Sequence, residues 1–187
     1  MLFSADVFAQ EVEYTRWKPD KDTLPRLPYI EIKNSDIATL TEEQLDTIAN
    51  SKITHFLVKR IDGSDFEMIY PYLPKGLLVL EMPNSRFEEW PRQLSLPRGL
   101  IRVDFSKAET SYIPEEFCAL NNLSQLILWG SNVGKLPTCL QNIPSLKRID
   151  LIGIQFNVEE HDAMQEIFED QGILLSPPCN CDFQNTD

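Results

Sequence analysis

The chain has few of the residues on which most enzymes depend: two histidines, seven glycines and four cysteines in 187 residues. His55 and His161 are far apart in the sequence, and no serine or cysteine has an evident base near it. Nucleophilic catalysis requires such a base, and a phosphate-binding loop requires closely spaced glycines. We therefore expect no catalytic site and no cofactor.

Long apolar runs are also missing, since no stretch reaches the roughly 18 residues that a membrane-spanning helix needs. The first ten residues, MLFSADVFAQ, contain no Lys or Arg and place Asp6 inside the apolar part, which is a poor signal peptide. This pattern favours a cytoplasmic protein and leaves open export without a cleavable signal.

The four cysteines are too few for a disulfide-dense secreted scaffold. Cys118 and Cys139 fall in the returning segments of adjacent repeats, where we expect small buried thiols. Cys179 and Cys181 form a C-N-C sequence without a nearby histidine, which does not satisfy the ligand pattern of a zinc site. We predict no metal, and the sequence leaves the state of these two cysteines open.

Positive charge is scarce: 17 basic residues stand against 29 acidic ones, a net charge of −12. That balance argues against nucleic acid and anionic membranes as partners. Residues 157–187 hold eight acidic residues and no Lys or Arg. This acidic end is either a solvated surface with a soluble tail or a patch that attracts a basic partner.

What the chain has in quantity is a repeat. Apolar residues recur in the first, fourth and sixth columns of units that start at residues 27, 53, 77, 100, 123 and 146, with spacings of 26, 24, 23, 23 and 23. Three units bend at an apolar-Pro pair, namely Trp90-Pro91, Ile113-Pro114 and Leu136-Pro137. Such a unit cannot cover its own apolar columns, so the units must stack and share one core. Trp90 and Phe66 then become core residues.

The pattern resembles the leucine-rich repeat family, specifically the short class with Leu-Pro at the bend, and the ending FNVEEHDAMQEIFEDQGILL is similar to the cap of bacterial members. The resemblance implies an α/β solenoid, an arc with a parallel concave β-sheet, about six repeats and helix-containing caps. Its expected parts are an N-terminal cap (1–26), the repeats (27–156), a helix-strand cap (157–176) and a tail (177–187). The ninth column lacks the usual Asn and reads Ser35, Ile61, Ser85, Ala108, Ser131 and Ile154, which predicts a less regular solenoid unless Asn34, Asn84 and Asn132 replace it.

The third, fifth and seventh columns should face outward from the concave sheet, where four acidic side chains meet four basic ones. On this face Ile127, Trp129 and Ile152 form an exposed apolar cluster, which is typical of a protein interface. The other expected partner-binding residues are Arg102, Asp104, Arg148 and Asp150 around the cluster, Gln125 beside it, and Leu57 with Tyr29 as a second contact. The alternative is that the chain's own tail or cap covers Trp129, for example through Phe183.

These features favour a non-catalytic protein–protein recognition module that binds a partner protein through its concave face and is a monomer when free. Two narrower interpretations stay open. One is an immunity-type inhibitor that neutralises a basic toxin or enzyme, and the other is a bacterial effector that binds a host protein. An end-to-end structural oligomer is a further alternative.

Overall fold

The computed structural model describes residues 13–19 and 28–179, where eight parallel strands form one sheet in chain order. The predictions that concern Leu27, Cys181 and Phe183 therefore lie outside the described residues. The strands are β1 (Thr15–Arg16), β2 (Tyr29–Lys33), β3 (His55–Lys59), β4 (Val79–Glu81), β5 (Arg102–Asp104), β6 (Gln125–Ile127), β7 (Arg148–Leu151) and β8 (Gly172–Leu175). The predicted parallel α/β solenoid is confirmed.

Helical segments return the chain from most strands to the next, whereas the connection from β4 to β5 has no helix. The α-helices are α1 (Asn34–Ile37), α2 (Glu42–Ala49), α3 (Gly63–Ile69) and α4 (Val158–Ile167), and 3-10 helices span Tyr70–Tyr72, Glu115–Ala119 and Thr138–Asn142. The 23-residue repeats that start at 100 and 123 carry only short 3-10 helices, and the longer repeats that start at 27 and 53 carry α-helices, because an α-helix takes up more residues than a 3-10 turn.

The core lies between the sheet and these returning segments. The first, fourth and sixth columns are fully buried, as Leu100, Val103 and Phe105 show. Next to them an aromatic cluster joins three repeats, with ring centroids between 4.3 and 6.1 Å apart. Its members are Phe66, Phe87, Trp90, Phe105 and Phe117. The prediction that Trp90 and Phe66 are core residues is confirmed.

A backbone ladder in the eighth column sets the spacing of the turns. Arg60, Asn84, Lys107, Gly130 and Gly153 all adopt positive φ, between 56° and 84°. From Arg60 to Gly130, each N–H donates to the seventh-column carbonyl of the next repeat at 2.7–3.0 Å. The N–H of Gly153 donates instead to Oγ of Ser176 at 2.8 Å. A Cβ on Gly153 would come within 3.1 Å of the Gly130 Cα, so the last turns approach too closely for a side chain there.

The ninth column, where the usual asparagines are missing, contributes only part of a side-chain network. Ser85 Oγ accepts the Ile61 N–H at 3.2 Å, and Asn132 Oδ1 accepts the Thr110 N–H at 2.6 Å. Oδ1 of Asn34 and Oγ of Ser131 are buried without a hydrogen-bond partner. The turns are held mainly by the backbone, which explains why the sheet stays continuous despite the missing asparagines.

One expectation about the cysteines is wrong. Cys118 and Cys139 are joined by a disulfide, with their Cα atoms 5.8 Å apart. Both are half-buried and lie in the 3-10 helices of adjacent repeats on the convex side, so the bond staples two returning segments together. Cys179 is also disulfide-bonded.

At the C-terminal end the chain leaves the repeat pattern. Helix α4 begins with a capping box in which Asn157 Oδ1 accepts the Glu160 N–H at 2.8 Å and the Asn157 N–H donates to Glu160 at 3.0 Å. Phe168, just after the helix, is buried in the core, and β8 then adds the last strand of the described sheet. The concave face therefore extends one strand beyond the six repeats.

Candidate functional site on the concave face

The C-terminal part of the concave face exposes apolar side chains on three neighbouring strands. Trp129, in the turn after β6, is 43% exposed, and Ile152, after β7, is 39% exposed. Ile127 and Gln125 on β6 are both half-buried. Leu174 on β8 lies directly opposite Asp150 of β7 and is 36% exposed. We call Ile127, Trp129, Ile152 and Leu174 the C-terminal patch.

Leu174 did not emerge as a site residue from the sequence. The ILL segment predicts an edge strand, but its step from Asp150 is 24 residues rather than 23, so the repeat alone does not show which face Leu174 occupies. Continuing the fifth column across that one-residue offset would have identified it.

Trp129 is held in place from one side by Lys107. The Lys107 ammonium lies 4.8 Å from the centroid of the indole, a cation–π contact. The backbone carbonyl of Trp129 also accepts the Lys107 N–H at 2.7 Å. The ring is therefore positioned but still presents a large apolar area. The alternative that Phe183 covers it concerns a residue outside the described part of the chain.

Arg102 and Asp104 form an internal network on β5. Arg102 Nη2 contacts Asp104 Oδ2 at 3.0 Å and Glu81 Oε1 at 3.4 Å. The other oxygen of Asp104 accepts the N–H and the hydroxyl of Ser106 at 2.9 and 2.6 Å. Both groups lie in the predicted positions, yet the carboxylate is already fully engaged.

Arg148 and Asp150 repeat that arrangement on β7. Arg148 Nη2 donates to Asp150 Oδ2 at 2.6 Å, and the Ile152 N–H donates to Oδ1 at 3.2 Å. The carboxylate side chain is only 8% exposed, whereas the Arg148 side chain is 46% exposed. On this pair the cation faces solvent and the anion does not.

The N-terminal part of the face is closed by Tyr14, the residue before β1. Its hydroxyl donates to Glu81 Oε2 on β4 at 2.7 Å, so its side chain spans the face across β2 and β3. Burial and the Glu81 carboxylate raise the pKa of Tyr14. Leu57 and Val79, which occupy this part of the face, are each only 7% exposed. The predicted second contact, Leu57 with the half-buried Tyr29, therefore offers little free area.

His55 lies in this closed part. Its ring is edge-on to Tyr29 at a centroid distance of 4.4 Å, and Nδ1 is 2.9 Å from Thr54 Oγ1. Burial, and then the positive charge of Arg102, lower the pKa of His55 from 6.5 to about 4. The imidazole is neutral at pH 7 and contributes no charge to the face.

We expect the free energy of unfolding to fall as the pH is lowered from about 6.5 towards 4, because the unfolded chain binds a proton at His55 before the folded chain does. Urea unfolding at several pH values would measure the slope for the wild type and for His55→Gln. The variant should lose this part of the slope and keep the part due to carboxylates. Identical slopes in the two proteins would contradict the prediction.

Two negative findings apply to residues 13–19 and 28–179. In this part of the chain no group of three or more His, Cys, Asp or Glu side chains is arranged to hold a metal ion. No helix there is long and apolar enough to cross a membrane.

Several solved structures are similar to this chain. A leucine-rich repeat protein of Leptospira interrogans superimposes with a TM-score of 0.54 at 14% sequence identity, over 72% of this chain and 34% of that chain. The chain thus spans about a third of the length of the solved protein it matches. No family model and no curated protein matches the sequence.

Proposed function

Because the chain has the leucine-rich repeat fold, we propose that it is a non-catalytic recognition module that binds a partner protein through the C-terminal part of its concave face. Proteins of this fold generally use such curved sheets as binding surfaces. The observation that carries the proposal is the C-terminal patch, where Trp129, Ile152 and Leu174 are exposed side by side on or just after neighbouring strands of the sheet. Exposed apolar groups ringed by charge are usual at protein interfaces.

We expect Trp129→Ala to weaken partner binding by about 2 kcal/mol, close to a 30-fold rise in the dissociation constant, because a large central aromatic group is a frequent energetic anchor. The partner would first be captured with the wild-type chain and then titrated against purified variants by calorimetry. Tyr112→Ala is the matched control, since Tyr112 is an aromatic residue 37% exposed but outside the patch.

Two results would count against the proposal. Equal loss of affinity in Trp129→Ala and Tyr112→Ala would show that neither effect is specific to the patch. A loss of cooperative unfolding in Trp129→Ala would mean that this side chain supports the fold rather than a partner.

The acidic C-terminal end favours a second candidate, an immunity-type inhibitor of a basic toxin or enzyme. Helix α4 and the residues after it contain no Lys or Arg. They carry the exposed carboxylates of Glu159, Glu160, Asp162, Glu166, Glu169 and Asp170. Opposite charge on a partner accelerates association and makes its rate depend on salt. An association rate that falls steeply with added salt supports this candidate, and a salt-independent rate opposes it.

We also infer that the chain folds in an oxidising compartment, in contrast to the cytoplasm that the sequence favours. The Cys118–Cys139 bond and the disulfide at Cys179 support this inference, because such bonds are rare where cellular thiols are kept reduced. Thiol labelling of the protein extracted from its source under acid quench would test it. Complete labelling of all four cysteines would contradict it.

A further inference from the structure

We propose that the C-terminal patch recognises a partner segment that carries a carboxylate beside apolar side chains, and that the Lys107 ammonium binds this carboxylate. The inference rests on the proposed function, because it specifies the ligand of the same face. The patch would thus prefer an acidic ligand, although the chain as a whole is acidic and attracts basic molecules.

The free area of the face is confined to its C-terminal strands. Tyr14 spans the N-terminal strands and reaches Glu81, and Leu57 and Val79 beside this span are buried. A partner segment can therefore lie across β5 to β8 without displacing any described residue of this chain.

The turns that directly follow Trp129 and Ile152 carry no side chain that could cover them. Gly130 and Gly153 are exposed, whereas the same column holds Arg60, Asn84 and Lys107 in earlier repeats. Glycine at 153 is explained by the packing of the turns themselves, because a Cβ there would come within 3.1 Å of the Gly130 Cα.

The carboxylates of this part of the face are not free to bind a cation. Asp104 accepts hydrogen bonds from Arg102 and Ser106, and its side chain is 15% exposed. Asp150 is bonded to Arg148 and is less exposed still. A basic partner residue would meet anions that are already paired and largely covered.

Lys107 is an exposed charge of this part of the face that no carboxylate of the described residues pairs with. Its ammonium has no salt bridge within the described residues, and it rests on the Trp129 ring at 4.8 Å. Glu109, two residues further on, pairs with Arg86 at 3.6 Å instead. An ammonium on an aromatic ring keeps N–H donors for an incoming carboxylate, since the ring contact uses only one side of the group. Arg148, half-exposed on β7, adds a second positive group near the patch.

The acidic end of the chain does not cancel this local preference. Glu169 and Asp170 precede β8, at the opposite end of the strands from Lys107 and Trp129. Charges separated by more than about 8 Å of solvent are largely screened at physiological salt. The net charge of −12 slows the approach of an acidic ligand but does not set its contacts at the patch.

Random peptides displayed on phage provide a ligand that needs no knowledge of the natural partner. We would select them on the wild-type chain after removing those that bind Trp129→Ala. The enriched sequences should place Asp or Glu beside Leu, Ile, Phe or Trp. Synthetic copies would then be titrated against variants by tryptophan fluorescence, because Trp17 and Trp90 are buried and Trp129 is exposed.

Lys107→Asn is the matched variant, because Asn84 occupies the same column with φ 57° and shows that this backbone accepts asparagine. We expect this substitution to lower the affinity for the acidic peptides about fivefold, in the range of a single exposed charge pair. Lys107→Glu should lower this affinity further. A peptide in which Lys replaces the Asp or Glu should bind the Lys107→Glu variant more tightly than the acidic peptide does. That rescue separates direct contact from a mere shift of the Trp129 ring.

Each other outcome overturns the inference. If the enriched peptides are basic or uncharged, or if Lys107→Asn binds the acidic ones as the wild type does, the carboxylate contact is wrong while recognition at the patch stands. If no peptide that binds the wild type remains once those that bind Trp129→Ala are removed, both this inference and the proposed function fail.

Discussion

Replacing Trp90 by alanine will lower the free energy of unfolding by about 4 kcal/mol, or the melting temperature by about 10 °C. Trp90 stacks on Phe87 at 4.3 Å and contacts Phe66, Phe105 and Phe117 edge-on. Its truncation therefore opens a cavity where three repeats meet. The indole Nε1 also donates to Thr110 Oγ1 at 3.1 Å and to the Tyr112 carbonyl at 3.0 Å, and these acceptors would lose their donor.

Trp129→Ala is the control for Trp90→Ala, because it makes the same substitution at an exposed site. Chemical unfolding should show a loss within about 1 kcal/mol for Trp129→Ala, mainly its contact with Lys107. Trp90→Phe should lie between the two, since it keeps a ring but removes the N–H donor. Similar losses in both alanine variants would mean that the rings of the core are not packed as described.

The double variant Cys118→Ala/Cys139→Ala will lose about 3 kcal/mol of stability. A disulfide restricts the unfolded chain, and closing a loop of about 20 residues is worth roughly that amount. Thermal unfolding with and without dithiothreitol would measure the effect. The reductant should destabilise the wild type more than it destabilises the double variant, which retains only the disulfide at Cys179.

An equal effect of dithiothreitol on both proteins would contradict a contribution from Cys118 and Cys139. A double variant as stable as the wild type would contradict the prediction as well. Cys118→Ala/Cys139→Ala should also leave peptide binding unchanged, because the bond lies on the convex side, away from Trp129.

The repeat predicted the sheet because the position of a residue within the repeat determines whether its side chain is buried. Val103 and Phe105 alternate as in a half-buried strand, Leu100 stands three residues earlier in the first column, and the structure buries all three. The disulfide could not be predicted in this way. Cys118 and Cys139 are 21 residues apart, two positions out of step with a 23-residue repeat, so the columns do not place them opposite each other.

The face itself was harder to predict because side chains far apart in the sequence decide its exposure. The alternation of strand residues places Leu57 and Ile127 equally on the concave side, but Tyr14 crosses only the first part. The contact joins residues 67 positions apart and follows no repeat. Similarly, the sequence pairs Arg148 with Asp150 but does not show which of them reaches solvent. The binding role of these residues stays a prediction.

The hydrogen bonds that join successive turns change at the C-terminal end of the repeats. From Arg60 to Gly130 each turn finds its acceptor in the main chain of its successor, so any further repeat could be added in the same manner. At Gly153 the acceptor is instead the side-chain hydroxyl of Ser176. A unit inserted before Gly153 would meet main-chain acceptors on both sides, so an engineer who wishes to insert or delete whole units should do so there.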